Sequence, residues 1–136
     1  MVITRLIMLA IVALLVTAGA SADEPGAAEL QKCKICHALV QNGPNRVGPD
    51  LFGVFGRKAG SVAGFKYSDS MKQSGIVWDD ETLAKFLRDP KESLPGNRMS
   101  FPGIKDDAVL HDLLAQLSRR RSNRDWNWGH GGSDRY

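Results

Sequence analysis

The segment CKICH, residues 33–37, carries the only two cysteines of the 136-residue chain, and a histidine directly follows the second one. Two thiols this close can form a redox disulfide, help to bind a metal ion, or attach another group covalently. Residues three and four positions apart share one face of a helix, so Cys33, Cys36 and His37 would point the same way. That geometry suits a flat, rigid ligand held along one edge by thioether bonds and reached at its centre by the imidazole.

The rest of the chain discriminates between these uses. A thioredoxin-like C-x-x-C motif requires a βαβ context, and the sequence has no convincing strands. A structural zinc site needs four ligands, but the chain has only two cysteines and no His-x₃₋₅-His pair. A simple disulfide would be strained at this spacing and would leave His37 unexplained. C-x-x-C-H is the attachment signature of c-type haem, and we predict one covalently attached haem c.

Haem iron needs either a sixth ligand or an open site. After residue 22 the chain has two methionines, Met71 and Met99. A methionine is more often core filler than ligand, but Met99 lies in LPGNRMSFPG, a loop stiffened by prolines and without a helical face to bury. We therefore favour Met99 as the partner of His37. This ligand pair raises the reduction potential and is typical of electron-transfer haem.

Helices must position these residues. A first helix is predicted from Asp23 to about Ala38, and a second within WDDETLAKFLRDP, where Asp79 is a good N-cap and Pro90 ends the helix. A leucine stripe at i, i+3, i+4 and i+7 predicts a last helix from about Asp106. The glycine-rich segment 41–74 and the proline-rich segment 90–103 are predicted to be irregular loops.

The N-terminus indicates export. Arg5 precedes an apolar run, Leu6 to Val16, and Ala20-Ser21-Ala22 fits an A-x-A cleavage site. A membrane span needs roughly 20 apolar residues, and this run is about half that length. We predict that residues 1–22 are a cleaved signal peptide, with a retained membrane anchor as the alternative.

Two regions follow, which differ in charge. Residues 23–117, one predicted domain, hold 12 Lys/Arg and 13 Asp/Glu, whereas residues 118–136 hold five Arg and two Asp. The pI of about 9.0 therefore comes from the tail and is not evidence that the domain binds nucleic acid. We predict a monomer that does not bind nucleic acid. The basic, aromatic-containing tail is predicted to be disordered; the alternative is weak contact with an anionic membrane surface or an acidic partner.

Several further segments carry a family resemblance. With CKICH, they are VGPDLFGVFGRKAG, GFKYSDS, GIVWDDETLAKFLRDP, PGNRMSFPGI and DLLAQL. Together residues 33–117 resemble the class I c-type cytochromes of the mitochondrial and bacterial cytochrome c2-like type. The resemblance implies an all-α class I cytochrome c fold, with three main helices and long Ω-type loops wrapped around one covalently bound haem.

The resemblance also assigns roles to individual residues. It implies thioether bonds to Cys33 and Cys36 and iron ligation by His37 and Met99. Pro49 matches a proline whose carbonyl accepts the imidazole N–H. The residues that match hydrogen-bond donors to a haem propionate are Arg57, Tyr67 and Trp78.

The chain departs from the family at several positions. Phe86 replaces a tyrosine near the methionine sulfur, Met71 replaces a common asparagine, and Asn97, also near the haem, replaces a threonine. We expect a thinner polar network behind the haem. A lost hydrogen bond to the methionine sulfur favours Fe(III), whereas a drier pocket disfavours the extra charge of Fe(III), so the two effects on the reduction potential oppose each other. An aromatic is missing from the first helix and Gln116 replaces another in the last helix. In the family, aromatic residues there pack the first helix against the last helix. In this chain we expect that contact to be either weaker or carried by Leu30 and Leu113.

The function implied by the resemblance is that of a soluble one-electron carrier, not an enzyme, in the bacterial periplasm. It would shuttle electrons between membrane complexes, with a bc1-type donor and an oxidase or reaction-centre acceptor. Basic residues at family docking positions are Lys32, Arg46, Lys91, Arg98 and Lys105, and their charge is diluted by Asp106 and Asp107. The alternatives are a peroxidase-like haem enzyme with a labile Met99, and a membrane-tethered cytochrome.

Overall fold

A computed structural model describes residues 25–120, which contain five helices. They are α1 (Pro25–Cys36), α2 (Asp69–Gln73), α3 (Asp80–Arg88), α4 (Pro90–Ser93) and α5 (Asp107–Ser118). The predicted signal peptide, and the predicted tail from residue 121 onward, lie outside the described residues. Within the described range, none of the helices has the length and apolar character required to cross a bilayer.

The helix α3 begins and ends where its local sequence predicts. The Asp79 carboxylate accepts a hydrogen bond from the Thr82 amide at 2.8 Å, and the Asp79 amide donates to the Thr82 hydroxyl at 2.9 Å. This reciprocal cap satisfies amides that a helix start leaves unpaired. The apolar face, with Phe86 at its centre, is buried in the core.

The helix α5 is fixed by a similar start and by its leucine stripe. The Asp106 carboxylate accepts from the Ala108 and Val109 amides, and the leucines at 110, 113, 114 and 117 are buried. The helix ends at Ser118, one residue beyond the predicted domain boundary. The chain then contacts the long loop, because the Arg120 carbonyl accepts from the Gly53 amide at 2.8 Å.

Helices α1 and α5 meet at a very close contact. A Cβ on Gly26 would lie 2.3 Å from the Leu113 amide nitrogen, so only glycine fits there. The Asp112 carboxylate accepts from the Gly26 amide at 2.7 Å and from the Gln116 side chain at 3.3 Å. Leu30 and Leu113 are almost fully buried beside it. The contact expected from an aromatic pair is thus made by glycine, two leucines and a polar bridge.

Two short helices lie in segments that were predicted to be irregular. Ser68 caps α2 by accepting from the Met71 amide, and Asp89 caps α4 by accepting from the Glu92 amide, with Pro90 in the first turn. Each helix is about one turn long, which is too short for a hydrophobic period to reveal. Caps and a proline, which act locally, are enough to form them.

The loops contribute to the same core as the helices. Val54, Ala59 and Trp78 are buried with the apolar faces of α1, α3 and α5, and Met71 and Met99 pack against this cluster. The described range has no extended strands, only a single antiparallel bridge between Lys58 and Val77. Three main helices with long loops agree with the predicted all-α class.

Candidate haem site

The CKICH motif sits at the C-terminal end of α1. The His37 amide donates to the Cys33 carbonyl at 2.9 Å, which extends the helical hydrogen bonding to the histidine. Both cysteines are half-buried, and they do not form a disulfide with each other. Burial, assisted by the nearby Glu29 carboxylate, raises the pKa of Cys33. No cluster of three or more His, Cys, Asp or Glu side chains suited to a metal occurs within residues 25–120.

The His37 imidazole is held in one tautomer. Its Nδ1 donates a hydrogen bond to the Pro49 carbonyl at 2.7 Å, the arrangement implied by the family resemblance. The lone pair then lies on Nε2, where a metal ion can be bound. Burial lowers the pKa of His37, the charge of Arg57 acts in the same direction, and the Pro49 hydrogen bond opposes them. The neutral ring is the form that a metal requires.

Gly48 supports the same ring from its side, a role not recognised from the sequence. A Cβ at this position would lie 2.2 Å from Cε1, 2.5 Å from Nδ1 and 2.7 Å from Nε2 of His37. The Gly48 amide also donates to the Cys36 carbonyl at 2.8 Å, which ties this loop to the end of α1. The imidazole is therefore confined by backbone on one side. The only sequence signal is the position of Gly48 directly before Pro49.

The loop that carries Met99 is organised by Asn97. The Asn97 side-chain amide donates to the Pro90 carbonyl at 2.6 Å and to the Leu94 carbonyl at 2.7 Å, and its oxygen accepts from the Met99 amide at 2.9 Å. The family comparison predicts a thinner polar network at Asn97. In the structure, however, both the nitrogen and the oxygen of its side-chain amide form hydrogen bonds. Met99 is half-buried against the core and held two residues from this anchor.

Phe86 and Met71 are the other two positions near the proposed haem site at which the chain departs from the family pattern. Both lie in apolar surroundings. The Phe86 ring is 5% exposed, and its centroid lies 5.2 Å from that of Trp78 at an interplanar angle of 51°. Met71 is half-buried in α2 and packs against the core. Both side chains therefore pack against apolar neighbours.

The backbone places Arg57 beside Trp78. The Trp78 amide donates to the Arg57 carbonyl at 3.0 Å, and the Gly56 amide donates to the Trp78 carbonyl at 2.7 Å. The guanidinium turns inward, where Nη2 donates to the Asp50 carbonyl at 2.7 Å and Nη1 to the Phe52 carbonyl at 3.1 Å. These bonds use two of its five N–H groups.

The third member of this group, Tyr67, is half-buried near the Arg57 charge. Burial raises the pKa of Tyr67, while a hydrogen bond with the Val62 backbone and the charge of Arg57 lower it. Burial lowers the pKa of Arg57, and Tyr67 and Asp50 oppose that shift. A half-buried guanidinium beside a phenol is a favourable environment for a carboxylate, whose burial is costly without partners. The residues present thus fit a haem that is anchored at CKICH and carries acidic side chains.

The predicted docking residues are unequal. Lys32 forms an ion pair with Glu29 at 2.5 Å, and Lys105 forms one with Asp89 at 3.0 Å. Arg46 donates to the Lys34 carbonyl and Arg98 donates to the Lys66 carbonyl, so neither of these bonds neutralises a charge. Lys91 is exposed on α4. The positive charge of the set is therefore carried mainly by Arg46, Lys91 and Arg98.

No family model matches the chain. Comparisons with individual proteins are informative. Cytochrome c2 of Rhodoplanes tepidamans is 48% identical over 96 residues, which are 71% of this chain and 90% of that protein. Cytochrome c2 iso-2 of Magnetospirillum molischianum is 53% identical over 96 residues, 71% of this chain and 96% of that protein.

A solved structure agrees with these relatives. Cytochrome cH from Methylobacterium extorquens has a TM-score of 0.65 and 41% sequence identity, over 72% of this chain and 99% of that one. The family, fold class and cofactor predicted from the sequence are confirmed, and so is the prediction that the protein is not an enzyme. The chain belongs to the class I c-type cytochromes, electron carriers that hold one covalently attached haem c.

Proposed function

We propose that this cytochrome is a soluble one-electron carrier with haem c bonded to Cys33 and Cys36 and with its iron ligated by His37 and Met99. The haem, when bound, supplies the Fe(III)/Fe(II) couple. The main support is the His37 ring, which Pro49 fixes through Nδ1 and Gly48 confines from the side, so that Nε2 is presented to the cofactor.

The two proposed ligands are held by different parts of the backbone. His37 is fixed by the end of α1 and the Gly48 loop, and Met99 by the Asn97 hydrogen bonds. Since both supports are independent of any substrate, the same two side chains, His37 and Met99, would hold the iron in either oxidation state. Little rearrangement is then needed for electron transfer.

A second group of residues anchors the acidic edge of the cofactor. We assign Arg57, Tyr67 and Trp78 to a haem propionate, with the guanidinium already oriented by the Asp50 and Phe52 carbonyls. A charge-assisted hydrogen bond to a carboxylate is stronger than a neutral one. This pre-orientation lowers the entropic cost of making it.

The partners we propose are membrane redox complexes, namely a bc1-type donor and an oxidase or reaction-centre acceptor. Arg46, Lys91 and Arg98 would meet acidic groups on the partner, whereas Lys32 and Lys105 contribute less because each has its own carboxylate. Electrostatic steering accelerates encounter and weakens with salt. We expect a shallow decrease in the electron-transfer rate with ionic strength.

We place this shuttle in the bacterial periplasm. Support comes from the export signal predicted at residues 1–22 and from the bacterial cytochromes c2 among the relatives. The mass of the protein recovered from a periplasmic extract tests this directly. A mass that begins near Asp23 is expected, and a retained N-terminus in the membrane fraction would instead identify a tethered cytochrome.

Visible spectroscopy with a redox titration tests the proposed chemistry. In cells able to mature c-type cytochromes, the purified ferric protein should show the charge-transfer band of a methionine–iron bond at neutral pH, and titrate as a one-electron couple. A high-spin ferric spectrum at neutral pH would contradict stable Met99 ligation and favour a peroxidase-like protein.

A further inference from the structure

Asp50 carries a buried carboxylate that none of the roles assigned above uses. Within residues 25–120 it is the one charged residue that is buried, with 8% of its surface exposed. Burying a charge is costly unless other groups compensate for it. The charge at this position therefore needs an explanation from its surroundings.

The backbone fixes Asp50 beside the CKICH motif. The carbonyl of the preceding residue, Pro49, accepts from His37 Nδ1 at 2.7 Å. The amide of the following residue, Leu51, donates to the Ala38 carbonyl at 2.9 Å. Burial lowers the pKa of His37, and the Asp50 charge acts in the opposite direction, so the imidazole senses this carboxylate.

The local structure around Asp50 does not require the charge. Its Oδ1 accepts from the Phe52 amide at 3.0 Å, which closes an Asx turn. Asparagine forms the same turn with a neutral side chain. This is the only hydrogen bond of the carboxylate among the described residues, and none of their ion pairs includes it.

Arg57 does not neutralise the carboxylate by direct contact. The hydrogen bond from its Nη2 goes to the main-chain carbonyl of Asp50, at 2.7 Å, and not to the carboxylate. Its charge is assigned above to a haem propionate, and those two charges balance each other. The Asp50 carboxylate is then left as an additional negative charge beside the cofactor.

The sign of its effect follows from the redox chemistry. The iron is one unit more positive as Fe(III) than as Fe(II), so a nearby negative charge stabilises the ferric state more. Burial strengthens the interaction, because the protein interior screens charge less than water does. A carboxylate at this position therefore lowers the reduction potential.

We propose that Asp50 sets the reduction potential of the haem, its carboxylate favouring Fe(III) relative to a neutral residue at the same position. This role rests on the proposed ligation by His37. Asp50 acts through its charge and is not an iron ligand. A lower potential makes the ferrous carrier a stronger reductant toward its acceptor.

Equilibrium redox titration of the holoprotein tests the proposal at neutral pH. Asp50→Asn keeps the Asx turn and removes the charge. The equilibrium constant for reduction should rise roughly three- to tenfold, which is about 28–59 mV for a one-electron couple. Asp50→Ser, whose hydroxyl can also accept from the Phe52 amide, should shift it in the same direction.

Asp80→Asn is the matched control, because it removes the same charge from an exposed site in the first turn of α3. At an ionic strength of about 0.15 M, where exposed charges are largely screened, it should change the equilibrium constant by less than about 1.5-fold. The methionine–iron band and the denaturant midpoint show whether each variant retains its site and its fold. A role limited to the turn would alter the midpoint and leave the potential unchanged.

Three results would overturn the proposal. They are an unchanged or lower potential in Asp50→Asn with the band intact, an equal shift in Asp80→Asn, and loss of the band in both Asp50 variants. If one Asp50 variant alone loses the band, the potential of the other decides. A wild-type protein without the band would instead refute ligation by Met99, and the comparison of potentials would still test Asp50.

Discussion

Substitution of Gly48 by alanine tests whether backbone contact fixes the proposed iron ligand. The new Cβ would stand 2.2 Å from His37 Cε1, whereas ordinary contacts begin at about 3.4 Å. Either the imidazole or the loop must therefore move by more than about 1 Å. The ring has little freedom to do so while its Nδ1 stays 2.7 Å from the Pro49 carbonyl.

The cost follows from these two contacts. Overfilling a tightly packed site typically costs about 1–3 kcal/mol, and loss of the His37–Pro49 hydrogen bond costs about 1 kcal/mol more. We expect the holoprotein to lose about 2–4 kcal/mol of unfolding free energy. For a domain of this size that corresponds to a fall in Tm of roughly 10–30 °C.

Denaturant unfolding of the ferric holoprotein, followed at the haem absorbance, measures the change. The control is Gly75→Ala, where φ is +68° and no atom lies within 4 Å of the new Cβ. This control should lose only the cost of left-handed backbone, about 1–2 kcal/mol, with an unchanged spectrum. A Gly48→Ala protein as stable as the wild type, with an unaltered methionine–iron band, would refute the role assigned to Gly48.

Three further perturbations address the surroundings of the site. Asn97→Ala removes three hydrogen bonds around Met99, and the methionine–iron band should disappear at a lower pH than in the wild type during alkaline titration; an unchanged midpoint would contradict this. The Thr82 amide and hydroxyl hold the pKa of Asp79 below its usual value, so this group stabilises the fold above its unfolded pKa of about 3.9 and the contribution is lost as pH falls through the folded pKa. Asp79→Asn, which keeps the cap, should therefore flatten the acid side of a urea-midpoint profile, and a profile with the original slope would argue against it. Arg46→Ala should slow electron transfer to a membrane partner at low salt more than Lys32→Ala does, because Glu29 already pairs with Lys32; stopped-flow rates that rank them in the opposite order would reject this division of the docking surface.

The sequence predicts best what is determined locally. The start of α3 follows from Asp79 and Thr82, which lie within one turn, and α5 follows from its leucine spacing. The pairing of His37 with Pro49 was accessible only through the family resemblance, since the residues are twelve positions apart. These parts agree with the structure because short-range patterns or homologous positions specify them.

Other features depend on tertiary geometry that no local pattern encodes. The contact between Gly48 and the His37 ring requires the positions of two separate backbone segments. Two hydrogen bonds of the Asn97 side-chain amide reach back to Pro90 and Leu94, and the Asp112 bridge joins residues 86 positions apart. Comparison with the family pattern suggests that an interaction is lost at Asn97. In the folded loop, the Asn97 side-chain amide instead bonds to different partners.

We propose that Met99, and not Met71, would hold the haem iron together with His37. Selective ¹³C-methyl labelling of methionine in the reduced holoprotein tests it, because the methyl group of an iron-bound methionine lies over the porphyrin and is shifted far upfield. We predict that this resonance disappears in Met99→Leu and remains in Met71→Leu. Its persistence in Met99→Leu would contradict the proposed coordination.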